Sequence, residues 1–239
     1  MPIEQNAPAA DRAILWDFDG TLGYRDGLWS GCLTEVLQAN EPDAGFTRDD
    51  VRPLLHNGFP WDVSDIAHPE LSTPDAWWEL VEELLFGACR DLGLSEDRSR
   101  RYARETHERY IDVAGFKLFD DTLPVLTDLR DEGWRHIILS NHVPELQTLV
   151  EGLALSALVD EVLSSAVTGY EKPNPKAFEL GREAAGNPEQ LWMVGDNPEA
   201  DVRGAESVGI PAILVRNDEA GATRFAKDLY GVKSHLPSV

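Results

Sequence analysis

Five short apolar runs, separated by patterns typical of helices, are the feature of this chain that most restricts its fold. Runs of this length suit strands that are buried on both faces of a parallel sheet. Strands that alternate with helices predict a doubly wound, Rossmann-like α/β sheet with right-handed crossovers. The predicted strands cover residues 13–16, 134–139, 161–163, 191–194 and 211–215, and the predicted helices cover residues 122–132, 144–153, 175–185 and 198–208.

A long insertion interrupts this alternation between residues 23 and 116. A structureless loop of that length does not fit a compact domain, so the insertion should fold as a unit of its own. Its apolar residues recur at helical spacing, as in Trp77, Val81 and Leu85, which is typical of a helix with one buried face. The sequence therefore predicts an α/β catalytic core made of residues 1–22 plus 117–239, and an all-helical cap domain made of residues 23–116.

Charge excludes several classes of partner. The chain has 239 residues, with 43 Asp and Glu against 21 Lys and Arg, and a formal net charge of −22. Nucleic-acid binding relies on basic side chains that neutralise phosphates, so we expect no nucleic-acid partner. No apolar stretch approaches the roughly 20 residues of a membrane span, and no basic and apolar signal sequence is visible at the N-terminus. We expect a cytoplasmic protein without a membrane partner, and nothing in the sequence indicates its oligomeric state.

Polar residues follow four of the predicted strands. Ligands of open α/β sheets bind beyond the carboxyl ends of the strands, which meet at one edge of the sheet. We therefore expect these residues to converge on a single site. They are Asp17-Phe18-Asp19-Gly20-Thr21-Leu22 after the first strand, Ser140-Asn141 after the second, Glu171-Lys172-Pro173 after the third, and Gly195-Asp196 with the following Asp201 after the fourth.

These four motifs, in this order, resemble those of the haloacid-dehalogenase-like hydrolase superfamily. The resemblance extends from Asp17 to Asp201 and includes a helical insertion at the position of the family's first-type cap. It implies a phosphatase-type enzyme with a helical cap inserted after the first motif. Because the site lies in a strongly acidic chain, a phosphate ester can bind only where a metal ion or a lysine supplies local positive charge.

The chemistry of the first and fourth motifs can be argued from the residues themselves. A carboxylate directly after a buried strand, such as Asp17, is a possible nucleophile toward phosphorus. Its repulsion from a phosphate costs several kcal/mol in a poorly screened site. A Mg²⁺ ion held by Asp17, Asp196 and the backbone carbonyl of Asp19 would offset that cost. Asp201 is expected to support the metal directly or through water, and the resemblance implies the same metal arrangement.

The resemblance also implies roles for the other residues. Asp19 acts as general acid for the leaving alcohol and then as general base for the hydrolytic water. Lys172 is the cation that bridges the nucleophile and the phosphate. The hydroxyl of Ser140 and the backbone amides of Phe18 and Asn141 are expected to bind the phosphate oxygens. The side chains of Thr21 and Asn141 are expected to bind the phosphate or to support the site structurally.

Several activities share this scaffold, so the choice among them depends on the site. Dehalogenases of the family lack the second aspartate, which is present here as Asp19. Phosphonate-cleaving members use a cap lysine, and residues 23–116 contain no lysine. A sugar phosphomutase remains possible, as does a non-catalytic binding module. We expect a Mg²⁺-dependent phosphatase that acts on a small phosphorylated metabolite through an aspartyl-phosphate intermediate.

The predicted cap contains four tryptophans whose roles the sequence only partly indicates. Trp29 and Trp77 lie on helical stripes, and such residues more often pack in a core than contact a substrate. Trp61 and His56 flank Gly58-Phe59-Pro60, a turn that either reaches toward the site or forms a surface loop, and we favour the surface loop.

Overall fold

The computed structural model describes residues 11–217 and 222–237. Its central feature, within these residues, is a six-stranded parallel sheet with the strand order β5-β4-β1-β6-β7-β8. Two further short strands, β2 and β3, pair antiparallel with each other. The parallel sheet confirms the predicted α/β class. The strands are β1 (Arg12–Trp16), β2 (Gly23–Arg25), β3 (Phe116–Leu118), β4 (Arg135–Ser140), β5 (Glu161–Ser164), β6 (Gln190–Gly195), β7 (Ala212–Val215) and β8 (Phe225–Ala226).

Strand β1 lies between β4 and β6 and is buried on both faces. Its residues Ile14 and Trp16 belong to one apolar core, and the alternate residues Ala13 and Leu15 belong to a second core on the opposite face. This alternation follows from the two-residue period of a strand. Because β1 is central, the residue that follows it, Asp17, lies at the middle of the sheet edge.

Between β2 and β3 the chain forms only helices and turns. We call residues 28–110 the helical segment. The Thr73 hydroxyl caps the helix that starts at Pro74 by accepting from the Ala76 amide. Near Pro53, which cannot donate a backbone hydrogen bond, an α-helical turn gives way to a 3-10 turn at Arg52–Leu55. The α-helices of the segment are α1 (Leu28–Asn40), α2 (Arg48–Val51), α3 (Pro74–Asp91) and α4 (Glu96–Tyr110), and its other 3-10 turns are Pro60–Val63 and Pro69–Leu71.

The helices that flank the sheet follow the predicted alternation, except that the short helix at Ser165–Thr168 was not predicted and the last predicted helix differs in type. Residues 198–208, predicted as one helix, form a π-helical stretch at Pro198–Arg203 and then a short α-helix. The Val202 amide donates to the Asn197 carbonyl five residues earlier, which is the π-helical pattern. The α-helices of this part are α5 (Thr122–Asp131), α6 (Leu146–Gly152), α7 (Ser165–Thr168), α8 (Pro175–Ala184) and α9 (Gly204–Ser207).

The short pair β2–β3 joins the two ends of the helical segment. Gly23 pairs with Leu118 and Arg25 with Phe116, so the chain leaves and re-enters the core at neighbouring points. The domain boundaries at residues 22/23 and 116/117 remain a prediction. None of the helices described in the structure is long and apolar enough to cross a membrane.

Candidate active site

Asp17 is the point at which the predicted site residues meet. Its amide continues the sheet by donating to the carbonyl of Val194 (2.9 Å). Three side chains donate to its carboxylate: the Ser140 hydroxyl (2.9 Å), the Lys172 ammonium (2.8 Å) and the Thr21 hydroxyl (3.3 Å). The carboxylate is 90% buried. Residues from three of the four sequence motifs are thus brought into direct contact.

Lys172 is buried and makes two ion pairs. Its Nζ lies 2.8 Å from Asp17 Oδ1 and 2.5 Å from Asp201 Oδ1. Burial by itself lowers the pKa of this ammonium group, but the carboxylates of Asp17 and Asp201 outweigh that effect and raise it above its ordinary value. Lys172 therefore carries its charge at neutral pH.

The Asn141 side chain fixes the backbone of Lys172. Its amide nitrogen donates to the Lys172 carbonyl (2.8 Å), and its oxygen accepts from the Lys172 amide (2.7 Å). Both ends of the Asn141 side chain are thereby used to hold the strand-end loop that carries the lysine. Of the two roles expected for this side chain, the geometry favours structural support.

Asp17, Asp196 and Asp201 form an acidic cluster, with one carboxylate oxygen from each lying within 4.8 Å of the others. Burial, followed by repulsion from neighbouring carboxylates, raises the pKa of Asp196. Burial also raises the pKa of Asp201, although Lys172 opposes it. The Asn197 amide orients the Asp201 carboxylate by donating to Oδ2 (3.0 Å). A buried group of oxygen ligands with too little positive charge fits a hard divalent cation such as Mg²⁺.

Two glycines leave room for this cluster. A Cβ atom on Gly20 would clash with the Asp196 carboxylate, and a Cβ atom on Gly195 would clash with the side chain of Asp201. Gly20 also has a φ of +83°, in the left-handed region that favours glycine. The backbone can therefore approach the carboxylates closely at both points.

Asp19 lines the same cavity as Asp17 but makes none of the contacts of the acidic cluster. Its Oδ1 is buried and has no hydrogen-bond partner among the described residues. Burial, then repulsion from Asp17 and Asp196, raises the pKa of this carboxyl group well above its ordinary value. The group is thus favoured in its protonated form, as a general acid requires.

His142 is a residue of this site that the sequence reasoning missed. Its Nε2 lies 3.3 Å from Asp19 Oδ2, and its ring packs edge-on against Phe18 at a centroid distance of 5.6 Å. Burial lowers the pKa of His142 to about 4, so the ring is neutral at physiological pH. The available signal was its position directly after Ser140-Asn141, at the carboxyl end of β4.

The ring of Phe18 is fully buried in the core. Its carbonyl accepts from the amides of Leu22 and Gly23 (both 3.0 Å) and so closes the turn after the first strand. The roles assigned to Phe18, Thr21, Ser140 and Asn141 in phosphate binding, and to Asp17, Asp19, Asp196 and Asp201 at a metal, remain predictions.

The site opens into a cavity of about 270 Å³. The sheet edge supplies its polar wall, and the helical segment supplies Leu28, Trp29, Trp61 and Tyr110. Of the two alternatives for the turn at Gly58-Phe59-Pro60, the structure favours the one that reaches toward the site rather than the preferred surface loop, because Trp61 lines the cavity. Trp29 is mostly buried, stacked on Tyr110 at a centroid distance of 3.7 Å, yet it also lines the cavity.

Several polar contacts hold the helical segment against the core, including a hydrogen bond from the Asn174 side-chain amide to the Ser64 carbonyl (3.1 Å). The indole nitrogen of Trp78 donates to Glu145 (3.1 Å to each oxygen). His68 Nδ1 lies 2.9 Å from Glu171 Oε2, and both side chains are largely buried. The His68 amide also donates to the Gly169 carbonyl (2.8 Å).

Comparison with known proteins decides the family. A model of the haloacid dehalogenase-like hydrolase family matches residues 12–209. The chain belongs to this family. The match includes all four motifs and the whole helical segment of the hydrolase.

Curated relatives with named activities are phosphatases. The hydrolase is 35% identical over 220 residues to a glyceraldehyde 3-phosphate phosphatase of Methanothermobacter thermautotrophicus, covering 89% of each chain. It is 33% identical over 150 residues to a phosphoserine phosphatase of Thermus thermophilus, covering 62% of this chain and 59% of that protein. These matches confirm the prediction of a phosphatase-type hydrolase.

Solved structures share the fold over nearly the whole chain. A HAD phosphatase from Thermococcus onnurineus is 26% identical, with a TM-score of 0.66, and the match covers 94% of this chain and 97% of that one. A candidate β-phosphoglucomutase from Thermotoga maritima gives a TM-score of 0.70 at 18% identity, covering 95% of this chain and all of that one. The second likeness concerns the fold alone.

Proposed function

We propose that this hydrolase cleaves small phosphomonoesters in a Mg²⁺-dependent reaction through an aspartyl-phosphate on Asp17. The observation that carries the proposal is the set of contacts around Asp17: one carboxylate held by an ammonium group and two hydroxyls, beside a second carboxyl group with a raised pKa. The first group is oriented for attack, and the second holds a proton for the leaving group.

In the first step, a carboxylate oxygen of Asp17 bonds to phosphorus as the bond between phosphorus and the ester oxygen breaks. The leaving oxygen takes the proton of the Asp19 carboxyl group and departs as an alcohol. Lys172, fixed by Asn141 at its backbone and by Asp17 and Asp201 at its ammonium, holds the nucleophile in place and offsets the charge of the phosphoryl group. Positioning and electrostatic stabilisation of this kind account for most of the catalysis of phosphoryl transfer.

In the second step, the Asp19 carboxylate left by the first step takes a proton from a water molecule, whose oxygen attacks phosphorus. The bond between phosphorus and Asp17 breaks, inorganic phosphate leaves, and both aspartates return to their starting states. To act first as an acid and then as a base, the Asp19 carboxyl group needs a pKa near the working pH. Burial raises the pKa of this group from its ordinary value toward that range.

The residues that would hold Mg²⁺ are Asp17, Asp196 and the Asp19 backbone carbonyl, with Asp201 in support. The clustering of three carboxylates supports this assignment. When bound, the ion would supply Lewis-acid charge that reduces the repulsion between Asp17 and the phosphate.

We assign residues 23–116 to a cap that covers the site and excludes bulk water. The contribution of Trp29, Trp61 and Tyr110 to the cavity wall supports this role. Water exclusion strengthens the electrostatic interactions inside a site. A phosphomutase on the same scaffold would differ in retaining the phosphoryl group, and the phosphatase relatives favour hydrolysis.

The test uses p-nitrophenyl phosphate and Mg²⁺ with the wild-type protein and the Asp17→Asn variant. Release of inorganic phosphate by the wild type and its loss in the variant, with an unchanged circular dichroism spectrum, are expected. An Asp17→Asn protein that turns over at the wild-type rate would show that Asp17 is not the nucleophile. No turnover by the wild type would favour a binding module, and isomerised sugar phosphates without free phosphate would favour a mutase.

A further inference from the structure

We infer that the substrate's leaving alcohol carries no second anionic group and presents an apolar face to the wall formed by Leu28, Trp29, Trp61 and Tyr110. This inference rests on the proposed function, because it concerns the part of a phosphomonoester that lies beyond the phosphoryl group. It distinguishes the chain from its phosphoserine phosphatase relative, since phosphoserine bears a carboxylate.

The first argument is the absence of a free cation in the cavity. Among the described residues that line it, Lys172 is the only one with a cationic side chain. Its ammonium group is already bonded to Asp17 and Asp201 and, in the proposed reaction, faces the phosphoryl group. A carboxylate or second phosphate on the substrate would therefore enter the cavity without a cationic partner, and a charge that no opposite charge offsets is costly in a desolvated site.

Arg25 does not fill this role, although it lies near the cavity. Its guanidinium is 5.8 Å from the centroid of the Tyr110 ring and pairs with Glu35 at 3.1 Å. The side chain is almost completely buried. Tyr110 lines the cavity, whereas Arg25 is not among the residues that line it.

The second argument is the acidity of the polar wall. Asp17, Asp19, Asp196 and Asp201 all line the cavity, opposed by one lysine. A divalent cation at the acidic cluster would bring these charges close to balance, and the phosphoryl group would then make the cavity negative again. A second anion would be repelled by this remaining charge at the short distances that the cavity allows.

The third argument is the surface that faces the leaving group. Trp61 is stacked on Phe59 at a centroid distance of 4.8 Å with an interplanar angle of 5°, and Phe59 lies 5.1 Å from Trp29. Phe59 thus supports the two tryptophans that line the cavity together with Leu28 and Tyr110. Aromatic and aliphatic side chains offer no cation to pair with an anion, whereas they pack well against apolar or planar groups. The wall therefore leaves an anionic group without compensation and gains energy from apolar contact.

The experiment compares two substrates that differ mainly in one carboxylate, 2-hydroxyethyl phosphate and 2-phosphoglycolate, with the whole 239-residue chain in Mg²⁺. We expect kcat/KM to be at least about tenfold higher for 2-hydroxyethyl phosphate, which lacks the carboxylate. A third substrate, 2-phenylethyl phosphate, should exceed 2-hydroxyethyl phosphate by about tenfold through contact with the aromatic wall.

A variant tests whether the lack of a free cation in the cavity causes the preference for the substrate without a carboxylate. Leu28 lines the cavity and is 39% exposed, so Leu28→Lys adds an ammonium group without removing a catalytic side chain. We expect the ratio between the two matched substrates to narrow by about threefold or more. Leu80→Lys is the matched control, because Leu80 lies on α3, is 36% exposed and does not line the cavity. It should leave the ratio unchanged.

The outcomes separate this inference from the proposed function. If the wild type hydrolyses p-nitrophenyl phosphate but turns over 2-phosphoglycolate as well as 2-hydroxyethyl phosphate, or better, the inference is overturned and the proposed function stands. A phenylethyl substrate that is poorer than the hydroxyethyl one overturns the assignment of the aromatic wall. If no phosphomonoester is hydrolysed, the proposed function itself fails.

Discussion

Replacing Asp196 with asparagine should stabilise the metal-free protein, although it should disable the enzyme. Burial and the nearby carboxylates of Asp17 and Asp201 together raise the pKa of the Asp196 carboxyl group from 3.8 to about 7. A raised pKa means that the folded state penalises the charged form. The penalty is absent below about pH 4, grows between about pH 4 and pH 7, and is complete above that range.

The size of the penalty follows from the pKa shift. One pKa unit corresponds to about 1.4 kcal/mol, so a rise from 3.8 to about 7 amounts to about 4 kcal/mol of unfolding free energy at alkaline pH. Relaxation and water entry reduce such costs in proteins, so we expect a gain of about 2 kcal/mol from Asp196→Asn at pH 8. For a chain of this length, that gain corresponds to an increase in Tm of about 4–8 °C.

The assay is thermal unfolding followed by circular dichroism in EDTA at about pH 5.5 and about pH 8. Asp43→Asn is the control, because Asp43 is exposed and its replacement removes the same charge from the chain. The Tm gain of Asp196→Asn should be larger at the higher pH and should exceed that of Asp43→Asn. A Tm that is equal to or lower than the wild-type value at the higher pH would refute the electrostatic reasoning.

Three further predictions concern the same site. Asp19→Asn should lower kcat about 10²–10⁴-fold because it removes the transferable proton, and steady-state kinetics showing a loss below tenfold would contradict that role. Mg²⁺ at about 100 times its Kd should stabilise the wild type by about 3 kcal/mol in thermal unfolding. The shift should disappear in Asp196→Asn, whereas equal shifts in both proteins would place the ion elsewhere. His142→Leu should lower kcat about tenfold with little change in KM, because the ring beside Asp19 Oδ2 restricts the orientation of that carboxyl group. An unchanged kcat would remove His142 from the reaction.

The sequence was sufficient to predict the sheet and the convergence of its motifs because both depend on simple periodic rules. Buried parallel strands need uninterrupted apolar runs, so β1, β4, β6 and β7 are visible in the sequence. The carboxyl ends of parallel strands share one edge, which is why Asp17, Ser140 and Lys172, far apart in sequence, meet within hydrogen-bonding distance.

Elements that are defined by distant partners were not predictable in this way. Strands β2 and β8 have three and two residues, too few for an alternating pattern, and exist because neighbouring backbone pairs with them. The π-helical stretch at Pro198–Arg203 includes Asp201, whose side chain pairs with Lys172, a contact that no local pattern specifies. The sequence left the cavity wall undecided for a related reason: Trp61 and Tyr110 reach the site only through the packing of the helical segment.

The pairing of Glu171 with His68 gives the segment Glu171-Lys172 two attachments. Glu171 is bonded to the helical segment, whereas its chain neighbour Lys172 is bonded to the aspartates at the sheet edge. Withdrawal of the helical segment would break the His68–Glu171 pair, and water would have to replace His68 as the partner of the carboxylate. Because Glu171 and Lys172 are adjacent in the chain, a movement of the helical segment that displaces Glu171 would also shift the peptide that carries the Lys172 ammonium group, and with it the contacts to Asp17 and Asp201.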